Sequence, residues 1–170
     1  MDIRKILLIT NIRVGGTYLM KYLAKSINGI GVFEPTDLPL VKSRAVIKIN
    51  PLMHTLDDIV EYTEHFDRVF IIDRKDKTKQ IESAAHMYTT PNSQKKWKWT
   101  DKLRELPSYK MSIDRVLENS IALNILAERL NKEIFYYEDI YYGNQNLDDI
   151  EFTPDLNKKL RVESKNKTLT

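Results

Sequence analysis

The stretch ILLITNIRVGGTYLMKYL, residues 6–23, carries strand, turn and helix patterns in succession. Ile6-Leu7-Leu8-Ile9 is a short unbroken apolar run, as expected of a strand buried on both faces of a parallel sheet. Arg13-Val14-Gly15-Gly16-Thr17 interrupts it, and Leu19, Met20, Leu23, Ala24 and Ile27 then recur at helical spacing. A strand that turns through glycines into a helix leaves backbone N–H groups at the helix N-terminus. Those donors and the helix dipole favour a bound anion, phosphate above all. Gly15 and Gly16 allow the backbone to approach that anion closely. Arg13 adds a fixed positive charge, and Thr17 adds a hydroxyl in the first turn.

Outward from this stretch, strands and helices alternate. Val32-Phe33 is a short apolar pair after a turn at Asn28-Gly29-Ile30-Gly31, and Glu34-Pro35 ends it. Residues 36–44 read as loop. Residues 45–49 are β-branched, stop before Pro51 and predict a strand. A helix is expected over 56–66, a buried strand over 68–72, and a helix capped by Asp76 to about residue 87. Residues 88–107 are the least regular and read as an insertion. They hold Pro91 and the run Lys95-Lys96-Trp97-Lys98-Trp99. A long helix is expected from Met111 or Ser112 to about residue 131. Its apolar residues, among them Val116, Leu117, Ile121, Ile125 and Leu126, cover a broad arc and predict burial over most of its surface. Residues 134–137 predict a last strand, and the polar, lysine-rich tail at 144–170 is expected to be partly disordered. The sum is one α/β domain, residues 1–170. It is a three-layer α/β/α arrangement with a central, mainly parallel sheet, P-loop NTPase-like. In such sheets ligands bind at the carboxyl ends of the strands. Arg13, Glu34, Asn50, Arg74 and Glu138 each follow an apolar run, so they should gather along that edge.

The composition narrows the function. Of 170 residues, 42% are hydrophobic and 30% charged, which suits a folded globular chain with a real core. A net charge of +3 is a mild bias toward anionic ligands, too weak by itself to argue a nucleic-acid partner, which is not the main reading. No cysteine is present, which excludes disulfides and thiolate metal sites. His54, His65 and His86 show no metal-ligand spacing, so no metal is expected. No apolar run approaches a membrane span, and the start MDIRKILLI has no secretory pattern, so a cytoplasmic location is expected. The string GxxxxGK[ST] is missing, which disfavours an ordinary ATP or GTP hydrolase.

Arg13-Val14-Gly15-Gly16-Thr17-Tyr18-Leu19 resembles the 5′-phosphosulfate loop of sulfotransferases that use 3′-phosphoadenosine 5′-phosphosulfate (PAPS). The resemblance implies that Arg13 contacts the 5′-phosphosulfate, with the backbone of Gly15 to Thr17 around it. Val14 and Gly16 stand where that family has hydroxyl residues, which either weakens the site or leaves more of the binding to the backbone. Arg74-Lys75-Asp76-Lys77, with Gln80 and Ser83, is similar to the family's 3′-phosphate motif. It implies that Ser83 and either Arg74 or Lys75 bind the 3′-phosphate, and a guanidinium suits bidentate phosphate recognition. Tyr137-Glu138-Asp139-Ile140 is similar to the YEDL string that many members carry after a late strand.

Sulfuryl transfer to a hydroxyl needs a general base and in-line geometry. The K-T-H string of cytosolic members reads Lys48-Ile49-Asn50 here, without its histidine. The Glu of carbohydrate-acting members corresponds to Glu34 in Val32-Phe33-Glu34-Pro35. The resemblance thus implies Glu34 as base, with Lys48 and Arg13 at the sulfuryl group; His54 is the second candidate base. The expected acceptor is a hydroxyl or amine of a carbohydrate or small metabolite. The alternatives are a nucleotide-binding relative without turnover, a P-loop-like kinase, and a nucleic-acid module using Lys95 to Trp99. Ser120 and Asn124, one turn apart on the long helix, either face the site or satisfy a buried backbone group.

Overall fold

Runs of branched and aliphatic residues form the centre of the molecule because each buries both of its faces. In the computed structural model, residues 2–89 and 107–155 are described. The strands are β1 (Lys5–Thr10), β2 (Ile30–Phe33), β3 (Ala45–Ile49), β4 (Arg68–Asp73) and β5 (Ile134–Tyr136). The helices are α1 (Gly16–Ser26), α2 (Leu56–Tyr62), α3 (Lys77–Thr89), α4 (Pro107–Leu130) and α5 (Tyr137–Tyr142), with 3-10 turns at Pro51–Met53 and Thr63–His65. All strand pairs are parallel, in the order β2-β3-β1-β4-β5.

Alternation along the strands builds two cores. Ile6, Leu8, Val46, Phe70 and Ile72 pack with Leu19, Leu23, Ile140 and Tyr141 on the α1 and α5 face. Leu7, Ile9, Ile47, Val69 and Ile71 pack with Ile59, Tyr62, Leu123 and Leu126 on the α2 and α4 face. The expected three-layer α/β/α architecture is therefore present. Because every strand runs the same way, the segments after β1 to β5 all emerge at one edge.

Several boundaries differ from the sequence expectation, each for a local reason. Gly31 belongs to β2, an edge strand paired with β3 through Ile30 to Phe33. The α-helix after Thr55 stops at Tyr62 and tightens into the 3-10 turn Thr63–His65. α4 starts at Pro107, where a proline suits the first helical position. Tyr137 opens α5 instead of closing β5. α4 is also less buried than its apolar content suggests: Leu117, Ile121 and Ile125 face outward, Ile121 with 61% of its surface exposed. Buried Ser112 and Asn119 share the inner face with Val116, Leu123 and Leu126. Residues 144–155, within the tail expected to be partly disordered, are packed onto the domain. Leu147 and Phe152 are buried in the α1-side core, and Tyr18 and Tyr22 hydroxyls accept the backbone N–H of Asp155 and Thr153. Lys95 to Trp99 and residues 156–170 lie outside the described residues. No described helix is long and apolar enough to cross a membrane.

Candidate anion-binding site

The β1–α1 turn is built so that its carbonyls are tied down. The Ile12 carbonyl accepts Gln80 Nε2 at 2.8 Å, from a fully buried side chain of α3. The Arg13 carbonyl accepts Arg74 Nη1 at 3.3 Å. The Gly15 carbonyl accepts the Leu19 N–H at 3.1 Å and the Tyr141 hydroxyl. Gly15 is the α1 N-cap at φ 69°, a left-handed conformation suited to glycine, and Arg13 is also left-handed at φ 57°. Among the described residues no side chain caps α1, and no acidic residue stands in its first turn. The N-terminus of α1 is thus open for an anion. The Val14 side chain is buried in the α1-side core, so its part in this turn is limited to the backbone. The Thr17 side chain is exposed and Tyr18 is half-buried.

Lys48 reaches the same turn from below. Its parity on β3 matches Val46, which places it on the α1 face. Its stem lies where a Cβ on Gly16 would be, 2.5 Å from Cε. The ammonium ends 2.7 Å from Glu34 Oε1 and 4.7 Å from the centre of the Phe33 ring. Lys48 is 5% exposed, and Glu34 is open to solvent on one side. Glu34 follows β2 in a left-handed conformation, φ 39°, with its N–H donated to the Lys48 carbonyl at 2.8 Å. Two residues 14 apart in sequence thus form one acid–base pair beside the α1 N-terminus.

The β4–α3 turn supplies a second cationic group. Arg74 lies over the Tyr137 ring, 4.4 Å from its centre, and its buried Nε has no hydrogen-bond partner. Arg13 Nε donates to Ser83 Oγ at 2.8 Å, so Arg13 leans across to this side of the site. Lys75 turns away: its ammonium pairs with Asp139 at 2.8 Å, and that hydrogen bond holds it above the ordinary lysine value. Of the two candidates for the 3′-phosphate, Arg74 is the one beside the β1–α1 turn. His54 Nε2 is buried without a hydrogen-bond partner. Asn50 caps the 3-10 turn through the Leu52 N–H instead of facing the site.

Three residues beneath the site carry its framework and were not singled out from sequence. Asp73, 3% exposed, ends β4. Its Oδ1 accepts Asn11 Nδ2 at 2.9 Å, Lys77 Nζ at 2.7 Å and the Arg74 N–H at 2.8 Å. Its Oδ2 accepts the Ser120 hydroxyl at 2.7 Å, which gives Ser120 its role; Asn124 is exposed and bonds the Ser120 carbonyl. Asn11 joins β1 to α4 through the Val116 carbonyl at 3.0 Å. Tyr141 secures Gly15. The legible signal was a polar residue closing each apolar run at the ligand edge. Among the described residues no group of His, Asp or Glu is arranged to hold a metal ion. The cleft lined by Lys5, Ala45, His65 and Phe66 lies at the opposite edge of the sheet, where the strands begin. Comparison with family models, with curated proteins and with solved structures finds no match.

Proposed function

We propose that the chain is a sulfotransferase that moves a sulfuryl group from PAPS to a hydroxyl or amine of a carbohydrate or small metabolite. One observation carries the reading: two cationic cradles stand on neighbouring loops, and the first holds the Lys48–Glu34 pair under an uncapped helix N-terminus. A donor with phosphate groups at both ends of its ribose suits such a pair of cradles. The α1 amides and Lys48 receive the 5′-phosphosulfate. Arg74, Ser83 and Arg13, which leans toward Ser83, receive the 3′-phosphate. Preorganised donors of this kind stabilise charge on a transferring group without reorganisation. Glu34 takes the proton of the acceptor hydroxyl as its oxygen bonds to sulfur. The bond from sulfur to the 5′-phosphate oxygen breaks in line, and adenosine 3′,5′-bisphosphate leaves. Lys48, 2.7 Å from Glu34, places positive charge where both the sulfuryl oxygens and the ionised base need it.

Calorimetry with adenosine 3′,5′-bisphosphate tests the reading, with saturable micromolar binding as the expected result. No binding overturns it. Transfer from PAPS to a panel of hydroxyl and amine acceptors is expected to vanish in Glu34→Gln while nucleotide affinity is kept. Binding without transfer to any acceptor favours the nucleotide-binding relative without turnover.

A further inference from the structure

We propose that Tyr141 is a positioning residue: it holds the Gly15 carbonyl so that the Gly16 N–H faces the bound anion, and through α5 it ties that turn to the Arg74 side. The inference rests on the two-phosphate reading above. A peptide unit is planar and trans, so the C=O of one residue and the N–H of the next point in opposite directions. Whatever fixes the Gly15 carbonyl therefore aims the Gly16 N–H. That carbonyl receives two donors, the Leu19 N–H at 3.1 Å and the Tyr141 hydroxyl. The second comes from 126 residues away. A glycine at φ 69° has shallow alternatives, and a flip of the Gly15–Gly16 peptide would turn a carbonyl oxygen toward the anion.

Tyr141 is itself locked. It is 2% exposed, and its ring centre lies 5.0 Å from that of Tyr137 and 5.5 Å from that of Phe152. The ring fills the space a Cβ on Gly15 would need, with atoms at 2.7 Å. The same short helix serves the second loop. Tyr137 lies under the Arg74 guanidinium, whose Nη1 holds the Arg13 carbonyl. Glu138 accepts the N–H groups of Lys75 and Asp76 at 2.8 and 3.2 Å, at the entry to α3. Both turns are thus braced from one element.

Tyr141→Phe keeps the ring and removes only the hydroxyl. Calorimetry should show affinity for adenosine 3′,5′-bisphosphate reduced about tenfold, and affinity for adenosine 3′-monophosphate unchanged. The Gly16 amide resonance, which should move when the bisphosphate binds the wild type, should move much less in the variant. A merely structural loss would weaken both nucleotides equally. Wild-type affinity for the bisphosphate in Tyr141→Phe, or equal losses for the two nucleotides, overturns the inference while the two-phosphate reading stands. Failure of the wild-type chain to bind the bisphosphate removes that reading and this inference together.

Discussion

Gly15 and Gly16 are neighbours, yet replacing each by alanine should have very unequal consequences for stability. At Gly15 the backbone is left-handed, φ 69°, which costs an L-residue about 1–2 kcal/mol. The new methyl would also lie 2.7 Å from ring atoms of Tyr141, a buried side chain that cannot swing into solvent. Overpacking of that kind costs about 1–3 kcal/mol, and loss of the Tyr141–Gly15 hydrogen bond about 1 more. The expected destabilisation of Gly15→Ala is about 3–6 kcal/mol. Gly16 is helical, where alanine gains up to about 1 kcal/mol over glycine. Its methyl would meet Lys48 Cε at 2.5 Å, the far part of a flexible chain, so the lysine can yield. In yielding it leaves Glu34, and the lost charge-assisted contact is partly replaced by water on the open side of that carboxylate. The net change for Gly16→Ala should stay within about 1 kcal/mol. Urea unfolding followed by far-ultraviolet circular dichroism separates the two. With a slope of about 2 kcal/mol per molar, Gly15→Ala should lower the midpoint by about 2 M and Gly16→Ala by less than about 0.5 M. Equal shifts, or a larger one for Gly16→Ala, would refute the reasoning about this turn.

Asp73→Ala leaves Asn11, Ser120 and the Arg74 N–H without their buried acceptor and should cost about 3 kcal/mol in the same unfolding experiment; a loss under about 1 would show that the network is dispensable. Asp67 accepts the backbone N–H groups of Arg4 and Lys5, which hold its carboxyl below the ordinary value of 3.8. Its contribution is present above about pH 4 and is lost as the pH falls through the depressed folded value, so the stability gap between wild type and Asp67→Asn should shrink on acidification; a gap independent of pH contradicts this. Burial pushes the Tyr62 hydroxyl up to about 12, and it donates to the Pro39 carbonyl at 2.6 Å. Its contribution is complete below the unfolded value near 10 and is lost as the pH rises toward about 12. Tyr62→Phe should therefore flatten the alkaline limb of the thermal midpoint against pH, and an unchanged limb would refute the assignment.

How much of this was legible in the sequence differs between fold and site. Ile6 to Ile9 and Val69 to Ile72 are buried on both faces, and only a central strand explains such runs, so composition alone identified them. The edge strand β2 was harder. Ile30 and Phe33 are exposed, so no burial pattern marked it beyond the Val32-Phe33 pair. α4 misled in the other direction, because apolar periodicity reports capacity for burial and not whether a neighbour covers each face. Leu117, Ile121 and Ile125 have helical spacing and still face outward. Asp73 closes an apolar run, and nothing in its local sequence says that Asn11, Lys77 and Ser120 will converge on it.

By itself, then, the sequence determined the element types, the parallel sheet and the edge where strand-end residues meet, because periodicity and turn chemistry act over a few residues. Tertiary structure decided the pairings: Lys48 with Glu34, Arg13 with Ser83, Arg74 on Tyr137, and Tyr141 on Gly15. Those depend on strand order and register, which bring together side chains up to 126 residues apart. They are why residues 13–17 form a turn braced from β4, α3 and α5, and not an isolated glycine loop.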